Sequence, residues 1–163
     1  MEIDEKGTLK KKWTIRRYAD DQAFKNDQPY DVSEFLENVL LNEGIAAMWD
    51  LICGLGSPTA FSNANAYIGV GDSNTAAAAT QTGLQAATNK AYKAMETSYP
   101  SRSSQTVTFR SVFGSTDGNF SWQEFTVANG NSDSAVNMNR KVSDQGTKAS
   151  GQTWTVDLQI TLS

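Results

Sequence analysis

Gly151-Gln152-Thr153-Trp154-Thr155-Val156-Asp157-Leu158-Gln159-Ile160-Thr161-Leu162 alternates apolar and polar side chains without a miss from Thr153 onward. Successive side chains on a strand point to opposite faces, so this run reads as a long β-strand with one face on a core and the other towards water. A strand of this kind belongs to antiparallel sheets, because parallel sheets are buried on both faces and read as continuous apolar runs. The expected class is therefore mainly β, an antiparallel sandwich or jelly-roll-like domain whose work is done at its surface.

Thr106 to Phe113 predicts a second clear strand, with Val107, Phe109 and Phe113 on one face. Phe120 to Ala128 predicts a third, with a register change near Gln123-Glu124 that suggests a bulge. Shorter strands are expected at Ala66–Val70, Tyr92–Met95 and Ala135–Val142. Asp117-Gly118-Asn119 and Asn129-Gly130-Asn131-Ser132 have turn composition. Both also offer oxygen ligands at alternate positions, but neither is a full calcium loop with a terminal Glu. Residues 71–91, rich in Ala, Thr, Gln and Asn, predict a long loop, with Leu84 its one large apolar residue. So little apolar content suggests that neighbouring copies hold the loop, and hence a homo-oligomer.

Upstream of the strands the pattern changes. Asp31 and Glu34 have the spacing of a capping box, and Phe35, Leu36, Val39 and Leu40 follow at helical spacing. Ile45, Met48, Trp49 and Ile52 continue that stripe after Gly44, and Gly54 and Gly56 end it, which predicts a helical segment over 31–54. Residues 1–30 carry seven of the 14 Lys and Arg residues among few scattered apolar ones. Such a segment buries too little apolar area to offset its own ordering entropy, so it is expected to be an extended arm ordered only against a partner. Within it, Lys10, Lys11, Lys12, Trp13, Ile15, Arg16, Arg17 and Tyr18 are the expected partner-binding residues. The cations would steer the encounter and the apolar side chains would supply the desolvated contacts.

Composition narrows the function. The chain has 163 residues, room for one domain after the arm, and a net charge of -4, which argues against a nucleic-acid binder. It has no histidine and one cysteine, Cys53, so the commonest general base and an intrachain disulfide are both missing. The expectation is no catalysis, no cofactor and no metal. Glu124, set in an aromatic strand, reads as an outward-facing residue or as one salt-bridged to Arg140 or Lys141. Gly69-Val70-Gly71-Asp72-Ser73 lacks the Gly-Lys-Ser/Thr of a phosphate loop. No apolar run is long enough to span a bilayer, and Met1-Glu2-Ile3-Asp4-Glu5-Lys6 lacks the order of a signal peptide. The protein is expected to be made and kept in a cytosol, or assembled there into something larger.

Two blocks carry a resemblance. One is Asn38-Val39-Leu40-Leu41-Asn42-Glu43-Gly44-Ile45-Ala46-Ala47-Met48-Trp49-Asp50-Leu51-Ile52-Cys53-Gly54 with Ala64-Asn65-Ala66-Tyr67-Ile68-Gly69-Val70-Gly71-Asp72. The other is Phe120-Ser121-Trp122-Gln123-Glu124-Phe125, Met138-Asn139-Arg140-Lys141-Val142, Gly146-Thr147-Lys148 and Gly151-Gln152-Thr153-Trp154-Thr155. Over residues 38–162 the chain resembles small virion proteins of tailed bacteriophages, seen as capsid decoration (cement) proteins and other structural components. The resemblance implies a β-rich domain on the outside of a capsid, a trimer bound to the major capsid protein, without cofactor or catalysis. It also implies core roles for Trp122 and Trp154 and a structural Glu124–Arg140 ion pair. The rival readings are a head-fibre, tail or adhesin component, a carbohydrate-active domain using Glu124, and a nucleic-acid-binding module.

Overall fold

The structure is a computed structural model and describes residues 7–163. The element order is β1 (Leu9–Tyr18), α1 (Asp21–Lys25), β2 (Asp31–Leu36), β3 (Val39–Leu40), α2 (Asn42–Cys53), β4 (Tyr67–Gly71), β5 (Lys90–Ala94), β6 (Ser101–Ser103), β7 (Thr106–Phe113), β8 (Glu124–Ala128), β9 (Asn139–Val142) and β10 (Thr153–Leu162). Two five-stranded sheets, ordered β2-β1-β10-β7-β6 and β3-β9-β8-β4-β5, pack face to face, and the named strand pairs are antiparallel. The protein is mainly β and sandwich-like, as the alternation of β10 predicts.

β10 lies at the centre of the first sheet. Trp154, Val156 and Leu158 enter the core, where Trp154 meets Trp122 edge-on at 4.9 Å and Trp122 meets Phe113 at the same distance. The opposite face of β10 is less open than alternation implies. Thr153, Thr155 and Asp157 are buried too, because Asp157 lies under Arg16 and Arg110 and Thr153 is tied to Asp21.

The largest departure is the N-terminal segment. Over its described residues, 7–30 is no arm: β1 pairs with β10 at ten positions, Leu9 opposite Leu162 to Tyr18 opposite Thr153, and with β2 on its other side. Trp13 and Ile15 are fully buried core residues, with Trp13 5.6 Å from Phe125. The alternation is masked in the sequence because the next inward position holds a cation, Arg17. Its guanidinium lies 4.7 Å over the Trp154 ring and donates to Asp31 at 2.8 Å, Ser33 at 2.9 Å and the Gln145 carbonyl at 2.8 Å. A buried charge paired and hydrogen-bonded in this way is tolerated in a core that would otherwise reject it. Met1 to Lys6 lie outside the described residues.

The helix expected over 31–54 is also shorter than predicted. Residues 31–40 form β2 and β3, and only Asn42–Cys53 is helical. Phe35 stacks 6.2 Å from Trp13 as a strand residue. The helix stops where expected, at Gly54 in the left-handed region (φ 66°), whose N–H caps the Asp50 carbonyl. Phe120–Gln123 precede β8 as irregular chain, and β9 begins at Asn139.

Candidate interaction surface

The charged residues that invited a chemical reading are absorbed by the fold. Glu124 and Arg140 are both fully buried, with Arg140 Nε donating to Glu124 Oε2 at 2.7 Å. The carboxylate also accepts from the Gln85 N–H at 2.8 Å and the Ala86 N–H at 2.7 Å, while Arg140 Nη1 donates to the Thr75 carbonyl at 2.8 Å and Gln81 Oε1 at 3.0 Å. This pair therefore clamps the long loop between β4 and β5 from inside. Asp133 adds a second clamp through the Leu84 N–H at 3.2 Å, the Tyr92 hydroxyl at 2.5 Å and the Lys90 ammonium. Burial and the Asp133 contact push Tyr92 well above the ordinary phenol range. The loop is thus held by its own chain. Its low apolar content therefore needs no neighbouring copy to hold it.

The two turns are also structural. Asp117 accepts from the Gly114 N–H at 3.0 Å and from Lys93 at 2.6 Å, and Gly118 takes the positive φ (61°) that the turn requires. Burial works to raise the Asp117 pKa, but the Lys93 and Gly114 hydrogen bonds outweigh it and hold the carboxyl below its ordinary value. Lys148 is buried beside this turn, donating to the Gly114 carbonyl and Asn119 Oδ1, and burial lowers its pKa. Asn129 closes the other turn onto Val136 through its backbone N–H and its side-chain oxygen. Among the described residues no three of Cys, Asp or Glu gather to hold a metal.

The eight residues expected to bind a partner divide cleanly. Trp13 and Ile15 are buried in the core and Arg17 is spent beneath β2, so these three are closed to a partner, while Tyr18, though largely buried, borders a cavity on the outer face of the first sheet. Lys10 is exposed, Lys11 donates to the Asn38 carbonyl at 3.3 Å, and Lys12 pairs with Glu34 at 3.1 Å. Arg16 leans on Asp157 at 3.3 Å. Lys10 and Lys12 remain at the surface, beside the exposed Leu36, on a cleft of about 600 Å³.

The exposed apolar surface is elsewhere, on α2. This helix turns its small residues inward: Gly44 and Ala47 are buried, and a Cβ at Gly44 would run into the Met138 backbone. Glycine lets the helix lie directly on the chain entering β9, and the bulky side chains are left outside. Ile45, Trp49 and Ile52, spaced i, i+4 and i+7, share the outer face. Trp49 is 60% exposed, Ile52 72%, and Leu55 just beyond the helix 55%. Large apolar side chains clustered at the surface in this way mark interaction sites, whereas singly scattered ones need no explanation. The ridge borders an apolar groove of about 410 Å³ at the open end of the sandwich, lined by Met48 of α2 with Phe109, Met138, Ile160 and Leu162.

The helix itself carries acidic residues and no basic ones, while Arg102 lines the groove beyond Met48. From Asn26 to Asn89 the chain has no Lys or Arg, and Glu43 and Asp50 line the cleft on the helix's flank. Burial raises the Glu43 pKa, opposed by the hydrogen bond it accepts from the Asn137 N–H at 2.9 Å. Comparison with protein-family models, curated proteins and solved structures finds no match to this chain. No helix among the described residues is long and apolar enough to cross a membrane. Sequence reasoning found the apolar stripe of α2 and read Gly44 as an interruption within it. What it missed is that Gly44, by its place within the stripe, signals a helix that packs by its glycine side.

Proposed function

We propose that this protein is a structural component that docks onto a protein shell, with the α2 ridge as its docking surface, and that the shell is a tailed-phage capsid which it decorates and cements from outside. The observation that carries docking is the outward face of α2, where Trp49 and Ile52 stand exposed on a domain whose most deeply buried ion pair, Glu124 with Arg140, is spent on holding its own loop. Aromatic anchors of this kind supply most of the binding energy in protein interfaces. The acidic flank, Glu43 and Asp50, favours a shell surface that is apolar with a basic rim. A membrane surface is the poorer partner, since interfacial helices carry Lys and Arg on their polar face and this one has neither.

The phage capsid, the major capsid protein as partner and the trimeric state rest on the sequence resemblance over residues 38–162. The head-fibre or tail reading uses the same ridge and differs in copy number, tens to hundreds on a shell against few on a tail. The test is co-sedimentation of the purified chain with shells of the phage that carries its gene. Trp49→Ala with Ile52→Asp should weaken binding by about tenfold or more, equivalent to 1.4 kcal/mol. Because both side chains are exposed, the thermal midpoint should stay unchanged. Undiminished binding by that variant would remove α2 from the proposal, and no binding by the parent chain would remove the capsid.

A further inference from the structure

The outer face of the first sheet holds a cavity of about 460 Å³ that docking through α2 does not use. Its floor spans three adjacent strands, with Arg16, Thr155 and Val112 side by side in register and Arg110 one step along β7. Asp157, almost fully buried between the arginines, sets that floor. Arg110 reaches it with Nε at 2.7 Å and Nη2 at 2.5 Å, and Arg16 with Nη1 at 3.3 Å. The Arg110 guanidinium also lies 4.8 Å over the Tyr99 ring, and its bond to Asp157 keeps it firmly cationic despite burial. A guanidinium braced on two sides loses little freedom when a ligand binds, and each arginine has further N–H donors to spare.

Two walls rise from this floor. One is aromatic, Tyr18 edge-on to Phe24 at 5.3 Å, and the Tyr18 hydroxyl donates to Asp27 at 2.9 Å. The other is the turn between β5 and β6, bearing Glu96 and Tyr99. Asn63 pins that turn, donating to the Glu96 carbonyl at 2.8 Å and the Tyr99 carbonyl at 2.6 Å. The Glu96 carboxylate is exposed and makes no side-chain hydrogen bond with another described residue.

Donors at the floor and acceptors on the walls define the ligand. A free anion would approach Arg16 and Arg110 but meet Asp27 and Glu96, and a cation would meet the reverse. Hydroxyl groups donate and accept at once, and aromatic walls suit the apolar faces of a saturated ring. We infer that this cavity is a binding site for a neutral pyranose sugar, with Arg16 and Arg110 as hydroxyl-binding donors, Glu96 as acceptor and Tyr99 as a ring-packing wall. The site is independent of the docking ridge. Its failure would leave the proposed docking untouched.

The test is an amide-shift NMR titration of the full chain with the methyl glycosides of glucose, galactose and mannose and with N-acetylglucosamine. Glucuronate and glucosamine serve as anionic and cationic controls. At least one neutral sugar should give saturable shifts at Thr97, Tyr99, Arg110 and Thr155, with a Kd on the order of 1 mM. Glu96→Ala and Arg16→Met should each weaken it about tenfold. If Arg16→Met lowers the thermal midpoint, Glu96→Ala decides alone, because its side chain is exposed. No saturable shift with any neutral sugar, tighter binding of either charged control, or shifts indifferent to Glu96→Ala would each overturn the assignment.

Discussion

Glu124 and Arg140 show how one buried pair organises a stretch with little apolar content of its own. The carboxylate is filled by Arg140 Nε and two backbone N–H groups, and the guanidinium fills two oxygens on the same loop. Removing one partner of a buried pair leaves an uncompensated charge, which typically costs about 3–5 kcal/mol. Glu124→Gln is therefore expected to lower the thermal midpoint by about 6–20 degrees, and hydrogen exchange should show residues 75–86 opening first. A midpoint within a degree or two of the parent would mean the pair does not hold the loop. Asp117 sets a pH limit. Its folded pKa lies below the ordinary carboxylate value, so the native state binds fewer protons than the unfolded chain through that window. Its stabilising contribution is present above the ordinary value and is lost as pH falls through the folded pKa. Chemical denaturation across pH 2–5 should show a shallower acid decline in Asp117→Asn than in the parent.

At the scale of elements, β1 has a role that its composition conceals. It has neighbours on both sides in the first sheet, and Trp13 and Ile15 lie in the core. Truncating one buried Trp typically costs about 3–5 kcal/mol, a large share of the roughly 5–15 kcal/mol that keeps a small domain folded. Deleting residues 1–18 also exposes the whole edge of β10. That deletion should give a chain without a cooperative thermal transition or near-ultraviolet circular dichroism, and one prone to aggregate along the bared edge. A folded, monomeric product would refute the pairing of β1 with β10.

For the whole molecule, the arrangement separates stability from recognition. The aromatic core and the buried ion pairs lie between or beneath the sheets, and the α2 ridge and the cavity over Asp157 lie outside them. Trp13, Trp122 and Trp154 are buried, which leaves Trp49 as the exposed tryptophan. Acrylamide should therefore quench the free protein mainly through Trp49. Docking through α2 should abolish that quenching and shift the emission to the blue, with no change in the unfolding midpoint of Trp49→Phe. Unaltered quenching in the shell-bound state would place docking elsewhere.

What the sequence by itself determined is the local and periodic part. The period of two in residues 153–162 makes a half-buried strand, and Gly54 ends a helix because glycine enters the left-handed region without strain. A salt bridge from Glu124 was one of the readings the sequence offered, but it left open an outward-facing residue and left Arg140 and Lys141 equal as partners. Only the packing chose Arg140. Tertiary structure decided the remainder. Lys10 to Tyr18 reads as a solvated basic stretch until β10 supplies partners along its length and Trp154 gives Arg17 a surface to cover. Phe35, Leu36, Val39 and Leu40 satisfy a helical stripe as well as two short strands, and the neighbours at β1 and β9 choose the strands. The stripe on α2 is visible in the sequence, but periodicity fixes only which residues share a face. Which face meets the core was settled by how closely Gly44 lets the helix approach Met138, and that contact leaves Trp49 and Ile52 outside.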